Sequence, residues 1–186
     1  MKRAIWVVGI LMAAGAAQAE DLNLTVYVRG AAQVEGLTMM SAKATTTKIF
    51  AGIGVRIRWE QGSPRTTDGP AILMQLDESA PARFRPDALG YAKPFDQFHT
   101  EIHILYNRVL RSVPREVAPA LLGHVMAHEI AHVLERLDRH SATGVMKAAW
   151  VTSDYDAIAK RPLAFEPDNV EAIRAYWKSS VAANRQ

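Results

Sequence analysis

No cysteine occurs anywhere in the 186 residues. The chain therefore cannot form disulfides, and any metal it holds must be ligated through nitrogen and oxygen. Thiolate zinc sites and cysteine nucleophiles are excluded. Internal repeats, low-complexity tracts and runs of like charge are also missing. The basic excess is slight, 22 Lys and Arg against 19 Asp and Glu. Lys2 and Arg3 belong to an N-terminal leader pattern, and without them the balance is 20 against 19. Arg83, Arg85, Arg108, Arg111 and Arg115 are scattered and carry no interleaved aromatic residues, so nothing resembles a nucleic-acid surface.

Residues 1–19, MKRAIWVVGILMAAGAAQA, start basic, continue through an uncharged apolar stretch and end in Ala17-Gln18-Ala19. The apolar stretch is short for a bilayer span, and the small-x-small ending is the pattern that signal peptidase cuts. This predicts a cleaved export signal of a bacterial-type cell, a periplasmic or extracellular protein, and no stable membrane anchor. Residues 20–186 have the length of one domain, expected to be a monomer. About a hundred residues precede the histidine-rich stretch and are needed for a sheet, which argues against a long propeptide.

Periodicity outlines the domain. Residues 23–28 (NLTVYV) and 55–60 (VRIRWE) alternate as strands, 71–76 (AILMQL) reads as a buried strand, and 101–109 (EIHILYNRV) as a fourth. Residues 32–50 have a helical pattern, 77–99 hold three prolines and read as irregular, and 141–165 as turn-like. A helix runs from about Val117, and another, PDNVEAIRAYWKSS, is capped near Asp168. The sum is an α/β (α+β) arrangement with a mixed sheet of about four strands.

Four of the six histidines fall in GHVMAHEIAHVLERLDRHSATGVM, residues 123–146. His128 and His132 are one helical turn apart, about 6 Å along the axis, so two imidazoles can reach one ion. Glu129 lies about 100° round the helix, beside the ligands without being one. Met126, Ile130, Val133, Leu134 and Leu137 form an apolar stripe on the side away from these histidines. His124 lies two turns from His132, too far to share an ion with it, and reads as an outer-shell or surface group. His99 and His103 read as surface histidines.

A hydrolytic zinc site takes three protein ligands and leaves one position for water. Candidates for the third are Asp138, His140, Asp154 and Asp156. The stripe continuing to Leu137 predicts that the helix runs about a turn past Glu135, so that the chain turns late and His140 is the first good ligand beyond it. A neutral imidazole also keeps the water acidic. His140 is therefore preferred, with Asp138 as the alternative.

HEIAH followed by RHSATGVMKAAW resembles a group of small exported bacterial proteins that are metzincin-like, with HExxH, seven residues, then HSxxGxM and a nearby tryptophan. His128, Glu129, His132, His140, Ser141, Gly144, Met146 and Trp150 carry the match. The resemblance implies a metzincin-like zincin fold with a C-terminal helix, and Met146 in a methionine turn beneath the metal. It also implies a peptide docking on the strand at 101–106 as a sheet edge. The metzincin zinc peptidases have HExxHxxGxxH, whereas Glu135 stands here in place of the helix-ending glycine.

The expected cofactor is one Zn2+ on His128, His132 and His140. Glu129 is the expected catalytic base, taking a proton from the water activated by the ion. The expected reaction is peptide-bond hydrolysis on a peptide or protein substrate. Tyr155 and Tyr106 are candidate oxyanion donors. The competing readings are a non-catalytic zinc-binding domain and a zinc amidase acting on cell-wall material.

Overall fold

The computed structural model describes residues 22–31, 34–64, 71–78, 87–93 and 100–183, with no side-chain description from 178 onward. The export signal at 1–19 and His99 lie outside the described residues.

The chain runs β1 (Leu22–Arg29), α1 (Gly36–Ala51), β2 (Val55–Gln61), β3 (Ala71–Asp77), β4 (Gly90–Lys93), β5 (Thr100–Leu105), α2 (Tyr106–Ser112), α3 (Ala118–Glu135), α4 (Thr152–Ile158) and α5 (Pro167–Ala183). The strands form one sheet in the order β2-β1-β3-β5-β4. Four strands are mutually parallel, and β4 pairs antiparallel with β5, Gly90 opposite Ile104 and Ala92 opposite Ile102. The expected α/β class and mixed sheet are what the chain adopts.

Alternation fixes which face of the sheet is covered. Leu24, Val26 and Val28 of β1 share a face with Ile72, Met74 and Leu76 of β3 and with Ile102 and Ile104 of β5. All are at most 3% exposed. Helices α1 and α3 pack on that face and on each other. Their close approach needs Gly123, where a Cβ would lie 2.7 Å from the Ala42 carbonyl oxygen and 2.7 Å from Thr45 Cβ. The Thr46 hydroxyl is shared between the Ala42 and Gly123 carbonyls across the same contact. On the opposite face His103 stacks on Tyr91 at 4.5 Å and its Nδ1 bonds Asp77 Oδ2 at 2.6 Å, so it is a paired and largely covered histidine rather than a free surface one.

Several expectations change. The region read as irregular contains β4, too short at four residues to show a period. The fourth strand ends at Leu105, and residues assigned to its continuation form α2. The turn-like segment holds α4. Strand β5 is flanked on both sides, and β4 forms the sheet edge instead. The helix carrying the histidines stops at Glu135 rather than running on, because Arg136 turns into the left-handed region at φ 51, ψ 30. A non-glycine residue there costs about 1–2 kcal/mol, and Arg136 also lies over the Tyr176 ring at 5.7 Å. Leu137, counted in the apolar stripe, is 46% exposed.

Candidate metal centre

Helix α3 is covered nearly all round, since α1, α2, α4, α5 and the strands β4 and β5 all touch it. Its polar residues are covered as well: His124 is 0% exposed and Glu129 6%. Helix α3 is thus a central helix whose polar groups need partners. His124 finds two. Its Nδ1 donates to the Ala120 carbonyl at 2.7 Å, and its Nε2 accepts from the Leu163 amide at 2.9 Å. This uses both nitrogens of a neutral ring, and burial pushes its pKa down. His124 is a structural histidine of the interior, not a surface group.

His128, His132 and His140 come together. Each offers one ligand nitrogen, and the three lie within 4.8 Å of one another. The ring centroids of His128 stand 4.7 Å from His132 and 5.3 Å from His140, with 4.9 Å between His132 and His140. The Nδ1 atoms of the first two face carbonyls, Val145 at 2.8 Å and Leu137 at 3.1 Å. A carbonyl only accepts, so each Nδ1 carries the proton and each Nε2 is left with a lone pair. The two Nε2 atoms lie 3.0 Å apart. Two lone pairs held that close repel unless a positive charge lies between them. Protonating a ring is disfavoured, since burial pushes the His128 pKa down to about 3 and lowers that of His132. A divalent cation fits this donor set, and orientation of ligand rings by hydrogen bonds on the far nitrogen is a regular feature of metal sites.

The early exit of α3 supplies one of those orienting groups. Because Arg136 reverses the chain, the Leu137 carbonyl faces back toward His132. The other comes from the turn at 141–147, where Ser141 N–H bonds the Met146 carbonyl at 2.7 Å. Met146 is 0% exposed in that turn, next to the Val145 carbonyl that holds His128. Gly144 has φ +74 and lies against the Ala164 carbonyl, so a side chain there would be strained and crowded. Trp150 presents its ring edge-on to His128 at 5.8 Å and donates Nε1–H to the Gly144 carbonyl.

These groups open on a cleft of about 550 Å³. It is lined also by residues 87–92, including most of β4, and by Lys147, Ala148, Ala149, Trp150 and Tyr155. Glu129 lines it too and contributes no atom to the histidine cluster. Its carboxyl lies under Gly90, where a Cβ would be 2.9 Å from Oε1 and 3.0 Å from Cγ. Burial pushes the Glu129 pKa up to about 8, with the Asp138 charge adding to the rise. Gly90 and β4 are the features that sequence reasoning missed; an isolated glycine among prolines gives no periodic signal.

Asp138 lines the cleft but is not part of the cluster. Asp154 is engaged elsewhere, accepting from the Val151 amide at 2.8 Å and from Lys147 Nζ at 2.5 Å. Tyr155 lines the cleft; Tyr106 sits in α2, away from it.

Two measurements follow. Gly90→Ala must displace the Glu129 side chain or the strand, an overpacking worth about 1–3 kcal/mol. The variant is expected to melt at a lower temperature than the wild type, read by thermal unfolding of the metal-free chains. The second concerns pH in the metal-free chain. His128 is charged in the unfolded state below 6.5 but stays neutral in the fold down to about 3, so stability falls as pH drops through that window. Glu129 ionises at 4.5 when unfolded but near 8 in the fold, so its contribution falls as pH rises between those values. The melting temperature of the metal-free protein should peak between pH 4.5 and 6.5 and decline on both sides.

Strand order, the central helix with its three converging imidazoles, the buried methionine turn and the closing helix define a mixed α/β fold of the metzincin-like kind. A solved protein of similar fold is archaemetzincin from Methanopyrus kandleri, with a TM-score of 0.53 and 12% sequence identity over 88% of this chain and 99% of that one. No family model matches the chain, and no curated protein sequence matches it.

Proposed function

We propose that this chain is a zinc-dependent metallopeptidase, with His128, His132 and His140 holding one zinc ion and Glu129 acting as general base. The observation that carries the reading is the pair of Nε2 lone pairs 3.0 Å apart, each forced by a carbonyl on the other side of its ring. The metzincin-like fold supports it.

When bound, zinc supplies Lewis-acid chemistry, acidifying water and polarising a carbonyl oxygen. Glu129 is placed to take the proton of the attacking water and deliver it to the leaving amine nitrogen. In the metal-free chain its carboxyl favours the protonated form at neutral pH; a cation beside it pulls the pKa back toward the range a general base needs. Tyr155, half-buried on the cleft wall, is the candidate donor to the developing oxyanion. The edge strand β4 also lines the cleft, so an extended peptide laid along it would add as a further strand. The proposed docking strand is therefore β4 rather than β5, the strand that the resemblance implied. No described helix is long and apolar enough to cross a membrane. The leader pattern at residues 1–19 supports an exported setting.

The test is incubation with casein and with purified cell wall, each with and without a chelator. Casein cleavage that a chelator abolishes and zinc restores is the expected result. Release of wall fragments alone would point to an amidase. Zinc binding with neither activity would point to a non-catalytic domain.

A further inference from the structure

The three histidines are not held alike. The Nδ1 atoms of His128 and His132 are each fixed by a carbonyl, whereas no hydrogen bond fixes a ring nitrogen of His140 among the described residues. His140 is exposed and lies in a stretch outside any helix or strand. An exposed side chain on such a stretch loses rotamer and backbone freedom on binding an ion, and that loss weakens the site unless something else restrains it.

Its two chain neighbours are restrained. Arg139, before it, donates from Nη2 to the Asp168 carbonyl at 2.9 Å and from Nε to Glu135 Oε2 at 3.4 Å. Ser141, after it, donates from Oγ to Asn169 Oδ1 at 2.7 Å. Asp168 and Asn169 are in the first turn of α5. Glu135 is the last residue of α3, and its side chain is 0% exposed. Asn169 is 1% exposed. Burial pushes the Glu135 carboxyl up, and the neighbouring Asn169 and Arg139 pull it back; Oε2 takes the Arg139 bond, and Oε1 has no hydrogen-bond partner among the described residues. A buried carboxylate at the end of the metal-bearing helix is costly without a role, and the early exit of the helix leaves a longer connection to the third imidazole.

We infer that Glu135, Arg139, Ser141 and Asn169 form a clamp between the end of α3 and the start of α5 that positions His140 as the third metal ligand. The inference rests on the metal site proposed above. None of the four touches the metal position or the substrate; they are positioning residues. The ends of two helices are joined on both sides of His140, which converts a free connection into a fixed one. Removing one arm leaves the other in place, so single losses are partial. Removing both frees the ligand.

The experiment measures zinc affinity by competition with a chromophoric chelator for the wild type, Arg139→Ala, Ser141→Ala and the double variant. Both positions are at least partly accessible, so the variants leave the core intact; melting of the metal-free proteins checks this. Each single change is expected to weaken zinc several-fold, and the double about 10–100-fold, the range for loss of groups that orient metal ligands. Cobalt(II) substituted for zinc should lose visible absorption intensity in the double variant as the third imidazole detaches. Glu135→Gln, which keeps the shape of the buried side chain, is expected to bind more tightly than Glu135→Ala. A double variant whose affinity stays within about twofold of wild type overturns the clamp while leaving the metal site standing. A wild type that does not bind zinc overturns both.

Discussion

Glu129→Gln is expected to bind zinc as the wild type does and to lose about 10²–10⁴-fold in kcat, the share general acid–base catalysis contributes. Glutamine has the same shape, so the packing under Gly90 survives, and Glu129 belongs to no ligand cluster. What disappears is the ability to accept a proton. In the metal-free chain the substitution should also remove the penalty of keeping a carboxyl buried at neutral pH, so the apo variant should melt higher than the apo wild type above pH 4.5. Metal content, kcat and an apo melt on one preparation test the assignment together. Unchanged turnover would remove Glu129 from the mechanism.

His140→Ala is expected to weaken zinc by more than about 100-fold, beyond the effect of losing an orienting group, while Asp138→Ala keeps its zinc. The two residues are two positions apart, and both line the cleft. The imidazole nitrogen of His140 joins those of His128 and His132 within 4.8 Å, and the Asp138 carboxylate does not. Asp138 acts on Glu129 through charge instead, raising its pKa. Asp138→Ala should therefore lower the upper pH at which Glu129 titrates without touching metal content. Loss of metal in Asp138→Ala alone would reverse the ligand assignment.

These effects concern groups that differ in how far the chain alone could locate them. His128, Glu129 and His132 are five consecutive positions' worth of helix, and helical geometry sets their relative placement whatever surrounds them. His140 was preferred for a reason that the fold replaces. The helix was expected to run on to Leu137, yet it stops at Glu135, and the site still gathers His140 because the loop doubles back from Arg136. Periodicity overextended the helix because Leu137 is apolar at the right spacing; exposure of that side chain was not visible in it. The strands with long alternating or apolar runs were legible. The four-residue β4 was not, because its pairing partner, not its own pattern, makes it a strand.

Whatever depends on spacing along one element was legible in the chain. That covers a cysteine-free donor set, two imidazoles one turn apart with a carboxylate beside them, and an α/β order of strands and helices. Tertiary structure alone decided that β4 rather than β5 is the edge beside the cleft, that His124 is an interior group, and that Gly90 roofs Glu129. It also decided that the ends of α3 and α5 hold the chain on either side of His140. Each of these is a meeting of residues distant in the chain, governed by how faces pack, and packing partners leave no fixed period for a sequence to display.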